Sequence, residues 1–223
     1  MFCGRKSLLG QVTSTGKENR RTLFCGQVFQ RLGHRHPHTI HMPFAERSLV
    51  VNTCKDLYNK WRGSRHGYRD APTNGLDVPI KYVYTAQDRK ENGDSSERPL
   101  VLFLTGAPGT YKDYSYTIPF LAQNNIDSIA LNWPDMSFSR KTNCWWHSKE
   151  EKTQLVLDFL NNFKVKQLDM LVSHSSGCYA GLDLMASHLK IKSMVLLNPP
   201  PIETARLCAT KISYIRLWAP VSR

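Results

Sequence analysis

Ser175 stands where a serine hydroxyl can be made to react. The run Met170-Leu171-Val172-Ser173-His174-Ser175-Ser176-Gly177-Cys178 passes abruptly from apolar to small residues. Leu168 to Val172 reads as a buried strand, and Tyr179 to Leu189 carries a helical pattern that starts at once. Ser175 is then the apex of a strand, a sharp turn and a helix. Such a turn closes only on small flanking residues, here Ser173, Gly177 and Cys178. It pushes the serine hydroxyl clear of the sheet. It also leaves the amide of Ser176 at a helix start, where it can meet a developing oxyanion. Acyl transfer needs a second amide converging from across the cleft. A Gly-rich loop, Thr105-Gly106-Ala107-Pro108-Gly109-Thr110, follows the apolar run Leu100–Leu104 and can turn an amide that way. The competing reading of Gly106 and Gly109 is a tight turn and nothing more.

The elements around these residues alternate. Leu100–Leu104, Ser128–Asn132, Leu168–Val172 and Ser193–Leu197 are continuous apolar or β-branched runs, as expected of strands buried on both faces of a parallel sheet. Between them lie helical patterns, one around Tyr116, Phe120 and Leu121 and interrupted by Pro119, and one over Glu150–Phe163. Strands alternating with helices predict an α/β fold with a mainly parallel sheet and helices on both faces. Residues 66–201 form that core. Upstream, residues 46–65 read as an amphipathic helix, with Val50, Cys54, Leu57 and Trp61 at spacings of three or four. Asn74-Gly75 between Tyr68–Thr73 and Val78–Ala86 predicts a β-hairpin. Gln87–Pro99 is polar and reads as a surface loop.

Charge is unevenly spread. The chain of 223 residues carries a formal net charge of +12. Residues 1–99 hold 17 Lys/Arg against 9 Asp/Glu, and residues 100–223 hold 13 against 9. Residues 1–45 have seven Lys/Arg and one acid, and read as a disordered basic tail or, alternatively, a mitochondrial presequence. No nucleic-acid module is recognisable, so the excess reads as a solvated basic surface. No apolar run approaches the ~20 residues of a membrane helix. The six cysteines show no metal-ligand spacing, and His34, His36, His38 and His41 lack partnering Cys or carboxylates. Neither a metal nor a cofactor is expected. The thiols point to a reducing compartment, with the cytoplasm as the expected location and the mitochondrion as the alternative.

The order of strands, the Gly-Ala-Pro-Gly loop and the serine turn together resemble the α/β-hydrolase superfamily over about residues 78–201. The loop 105–110 and the region 150–163 are most similar to a roundworm branch of it. The resemblance implies a serine hydrolase acting on an ester, thioester or amide, with an acyl compound as substrate or ligand. Ser175 would be the nucleophile, and the amides of Ala107 and Ser176 would form the oxyanion hole. The chain departs from the family in three ways. Ser173 replaces the first glycine of the serine motif, and Thr105 replaces a histidine before Gly106. The family's acid and histidine, which follow its last strands, have no counterpart after Pro201, where 22 residues remain. His188 sits in the helical pattern after the turn, His174 should point away from Ser175, and His147 in a polar loop is a further candidate to reach the cleft. Glu203 stands where some members carry the acid, against the reading of a surface carboxylate at a helix start. The resemblance therefore implies an incomplete triad and a chain truncated after the sixth strand. The alternative is a non-catalytic, hydrolase-fold binding or interaction protein. The strand Ser193–Leu197 would then present an unpaired edge that favours self-association. Residues 202–223 are its only local cover, as a helix with Cys208, Ile212, Ile215 and Ala219 on one face.

Overall fold

The computed structural model describes residues 43–199. Six strands form one sheet in the order β1-β2-β4-β3-β6-β8. They are β1 (Arg47–Thr53), β2 (Leu76–Tyr84), β3 (Leu100–Leu104), β4 (Asp127–Leu131), β6 (Met170–His174) and β8 (Met194–Leu197). β2 runs antiparallel to both β1 and β4, whereas β4, β3, β6 and β8 are mutually parallel. Two short strands, β5 (Gln167–Leu168) and β7 (Lys190–Ile191), pair in parallel beside it. The helices are α1 (Lys55–Trp61), α2 (Thr85–Glu91), α3 (Thr117–Gln123), α4 (Met136–Lys141), α5 (Lys149–Asn162) and α6 (Gly177–Met185), with a 3-10 turn at Tyr111–Tyr114.

The continuous apolar runs have a simple cause. Successive side chains of a strand face opposite ways, and both faces of this sheet are covered. Leu102, Leu104, Ile129, Leu131 and Leu171 join a core with α5 residues Leu155, Val156, Phe159 and Leu160 and α6 residues Leu182 and Leu184. Val101, Phe103, Ala130 and Val172 face the other way, onto Tyr111, Tyr114 and Ile118. Each fully buried Leu, Ile or Phe contributes about 1.5–3 kcal/mol. The expected α/β architecture is the one found.

Five local expectations are corrected. Residues 46–65 are not one helix. Arg47–Thr53 is a strand, Val51 being buried and Val50 61% exposed, which is period two. The helix begins only after Cys54, which turns the chain at φ +61. The Asn74-Gly75 turn does not join a local hairpin. Gly75 (φ +83) leads into β2, whose partner is β1, while Tyr68 packs on Tyr58 and Trp61. Part of the supposed loop 87–99 belongs to α2, which Arg47 anchors through Asp88 and Glu91 and which carries Arg89 to Asp127 at 2.7 Å. The helix after the serine turn ends at Met185, so His188 lies beyond it. Pro119 is no interruption. It is the third residue of α3, where a helix needs no N–H donor.

Within the described residues β8 is the outermost strand and pairs only with β6. The expectations for residues 1–42 and 202–223, including the basic tail, Glu203 and the C-terminal helix, lie outside the described residues.

Candidate active site

β6 ends at His174 and α6 starts at Gly177, so Ser175 and Ser176 make the whole connection. Ser175 has φ +48, a left-handed conformation that costs a non-glycine residue about 1–3 kcal/mol and tends to occur at functional sites. The turn is held from both sides. The Ser175 amide donates to the Leu197 carbonyl at the end of β8 (2.9 Å), and its carbonyl accepts from the Cys178 amide (3.0 Å). The Cys178 thiol donates to the Ser173 carbonyl at 3.2 Å.

Two glycines let the turn approach the end of β3. A Cβ on Gly177 would stand 2.5 Å from the Thr105 carbonyl oxygen, and one on Gly106 would stand 2.8 Å from the Ser175 Cβ. A third glycine answers the change at Ser173. That side chain is fully buried, and its hydroxyl has no hydrogen-bond partner among the described residues. It fits because Gly181, on the facing side of α6, has no side chain. A Cβ there would lie 2.3 Å from Ser173 Oγ. The bulk removed from the strand motif by the usual glycine is removed here from the helix.

The loop after β3 brings Ala107 to the turn. Its amide donates to Ser176 Oγ at 3.1 Å. Ala107 is exposed, and Ser175 and Ser176 are half-buried, so the three sit at the surface of a covered sheet end. Thr105 closes the loop on itself by donating from Oγ1 to the Gly109 carbonyl (3.3 Å). Its own carbonyl accepts from Trp133 Nε1 at 2.8 Å, which ties the loop to the segment after β4.

The histidines do not complete the site among the described residues. His147 (φ +57) pairs through Nε2 with Ser139 Oγ in α4 and stacks edge-on against Trp145. Burial first, and then the charge of Lys152, push its imidazole below the ordinary value, against a smaller opposing pull from Asp135. His174 lies with Nδ1 3.3 Å from where a Gly106 Cβ would be, beside the loop that carries Ala107. His188 is exposed and lines a groove with Leu157, Leu160, Lys166 and Lys190 near β5 and β7. Among the described residues, none of these imidazoles hydrogen-bonds to Ser175. The arrangement therefore presents a serine and two nearby amides, without a base in contact.

The sequence reading missed one cluster, at the start of α5. Glu151 is fully buried, capping its own helix through Ser148 and accepting from Tyr58 Oη (3.0 Å) and the Trp146 amide (3.1 Å). Burial pushes its carboxyl above the usual range, against those hydrogen bonds. Next to it Lys152 is only 9% exposed, with Nζ 5.1 Å from the centre of the Trp133 ring. A signal was available. Glu151 precedes Leu155 by four residues, and Lys152 precedes Leu155, Val156 and Phe159 by three, four and seven, which is the buried stripe of α5. Lys149, one turn away, reaches Asp183 of α6 at 3.2 Å.

Comparison with known proteins decides the family. Residues 65–218 match the family described as "Alpha/beta hydrolase of unknown function (DUF1057)". The chain belongs to this alpha/beta hydrolase family. No curated protein matches it. Among solved structures, an epoxide hydrolase of Vigna radiata aligns at 17% identity and a TM-score of 0.47, over 72% of this chain and 40% of that one. A laboratory-evolved variant of a potato epoxide hydrolase aligns at 16% identity and a TM-score of 0.40, over 52% and 35%. A variant enzyme that recognises and cleaves the ring of the Pseudomonas quinolone signal aligns at 14% identity and 0.43, over 58% and 46%. The chain thus spans less than half the length of these solved proteins. For this family member, no described helix is long and apolar enough to cross a membrane. Cys54, Cys144 and Cys178 are buried free thiols.

Proposed function

We propose that this alpha/beta hydrolase family member carries a serine-hydrolase site directed at an ester, thioester or amide, with Ser175 as nucleophile. The observation that carries the reading is the strained φ of Ser175 between β6 and α6, with the Ala107 amide 3.1 Å from the neighbouring Ser176 Oγ. An attacked carbonyl would place its oxygen between the amides of Ala107 and Ser176, displacing the Ser176 hydroxyl from the former. Among the described residues, no base that would make Ser175 a good nucleophile hydrogen-bonds to it. The loop histidine, His147, is held by Ser139. A serine with an oxyanion hole alone retains only a small part of the catalysis of a complete triad.

That same shortage favours a second reading, a hydrolase-fold protein that binds an acyl ligand without turning it over. The buried free thiols fit a reducing compartment, cytoplasmic or, alternatively, mitochondrial. A fluorophosphonate probe separates the readings. The expected result is slow labelling, orders of magnitude below a complete serine hydrolase, at Ser175 and lost in Ser175→Ala. Rapid labelling at Ser175 would reveal a base and overturn the incomplete triad. No labelling after prolonged exposure would leave the binding protein.

A further inference from the structure

We propose that the chain carries a docking groove for an acidic peptide at the end of the sheet opposite Ser175. Two hollows adjoin there, of about 560 and 390 Å³, and Val165, Lys166 and Gln167 line both. The larger reaches Leu100, Asp127 and Asp169, where β3, β4 and β6 start. Ser175 follows the other end of β6. Roughly 20 Å of strand therefore separates the two places, and the groove does not depend on the serine. Seven Lys and Arg side chains line the two hollows, against three carboxylates. Two of those carboxylates are taken, Asp127 by Arg89 at 2.7 Å and Asp169 by Lys192 at 2.5 Å. Arg98 is held by Asp94 at 2.5 Å. Lys90, Lys164, Lys166 and Lys190 are exposed, and among the described residues none of them has an ion pair. Scattered charges of this kind form a solvated face, but these border one concave furrow. Lys164 is also held at a conformational cost. It sits at φ +56 just past the end of α5, with its amide donating to the Asn161 carbonyl and the Val165 amide donating to the Leu160 carbonyl. Glycine takes such a position without strain, and this chain keeps a long cation there.

The lining selects the occupant. Several open ammonium groups call for several anionic groups, so a ligand with a single carboxylate is a poor match. The smaller hollow has an apolar side, formed by Leu157, Leu160, Val165 and Leu189, which accepts an apolar side chain. The larger is lined by one aromatic ring, Tyr84, which packs edge-on against Phe163 at 5.3 Å. Single-stranded nucleic acid is held on a series of stacking rings, and the flat face of a bilayer does not enter a furrow. Carboxylates and apolar side chains on one thin chain are the chemistry of an acidic peptide. The rest of this chain does not supply it. Residues 1–42 have seven Lys/Arg and one acid, and residues 200–223 have four and one. The partner is a second protein with an Asp/Glu-rich segment that also carries aliphatic residues.

The test is fluorescence anisotropy of the full chain with a fluorescein-labelled peptide of repeated Glu-Glu-Leu units at low ionic strength. Micromolar binding that weakens as salt rises is expected. The same peptide with Gln for Glu should not bind, and a peptide of Glu alone should bind more weakly. Lys164→Glu with Lys166→Glu should weaken binding about tenfold or more, through two lost ion pairs and new repulsion. Lys55→Glu with Lys112→Glu makes the same change in net charge at residues that line neither hollow. It should leave the affinity within about twofold, because distant exposed charges are screened. Equal losses in the two pairs would show attraction to overall charge and overturn the groove. No binding, equal binding of the Gln peptide or of the Glu-only peptide, or tighter binding of oligothymidylate or of phosphatidylserine vesicles would each overturn the proposal. Should the Lys164 and Lys166 reversal not fold, Lys164→Gly with Lys166→Gln takes its place. That pair should hold or raise Tm, since glycine relieves the left-handed position, and still weaken the peptide. Failure of both pairs to fold would show structural lysines and overturn the proposal too. Ser175→Ala should bind the peptide as the unaltered chain does.

Discussion

Ser173 and Ser175 are two residues apart and meet opposite demands. Ser175 is half-buried at the turn, whereas Ser173 is buried with its hydroxyl unpartnered among the described residues and depends on Gly181 for space. Gly181→Ala should cost about 1–3 kcal/mol, as overpacking does. Adding Ser173→Gly should return a large part of it, read by denaturant unfolding of the single and double variants. Additive costs would show that the two positions do not share the space. His147 makes a second residue-scale prediction. Its imidazole is depressed below 6.5, mainly by burial. Above that pH it is neutral both folded and unfolded, and its contribution to stability is fully present. As pH falls through the depressed folded value, the unfolded chain has already taken up the proton, so this stability is lost. His147→Gln should flatten the fall in unfolding free energy below pH 6.5. An equal slope in the variant would remove His147 as its source.

At the scale of elements, the helix after the turn is placed by what Gly177 lacks. In Gly177→Ala the new methyl would meet the Thr105 and Leu104 carbonyl oxygens at 2.5 and 3.0 Å, and main-chain atoms cannot swing aside. We expect a loss of about 2 kcal/mol or more, together with loss of any probe labelling at Ser175. A variant of native stability would mean that α6 can slide on β3. The parallel strands were legible because burial on two faces leaves runs such as Leu100–Leu104 with no polar interruption. β1 was not. Val50, Cys54, Leu57 and Trp61 happen to fall at helical spacings across a strand and the helix after it. Its true partner, β2, begins 23 residues after it ends, and no local pattern carries that pairing. α2 was hidden because its stability comes from Asp88 and Arg89 reaching Arg47 and Asp127, contacts that polar composition reads as loop.

For the whole molecule, the sheet is closed on one side by the antiparallel pair β1 and β2, and its other described edge is β8. Met194 and Leu196 are buried, while Leu197 is 38% exposed at the end of that strand. Unpaired strand edges template association with other chains, so the purified chain should form dimers or larger species at micromolar concentration by light scattering. A sharp, concentration-independent monomer peak would show the edge to be covered. The serine turn and the Gly-rich loop could be read from spacing because small residues have to be adjacent in the chain to make them. A base and an acid are chosen by the fold from distant positions. Here the imidazole singled out by its loop, His147, is occupied by Ser139, and the buried Glu151 and Lys152 looked like ordinary residues at the start of a helix.

The exchange of bulk between Ser173 and Gly181 bears on how such turns are recognised in other chains. A pattern confined to five consecutive residues demands a glycine at the first position and discards this one. What the geometry constrains is the summed volume of two side chains eight positions apart, one on β6 and one on α6. A search that accepts serine on the strand when glycine stands eight residues later would recover diverged members by a rule of volume, where a rule of identity loses them.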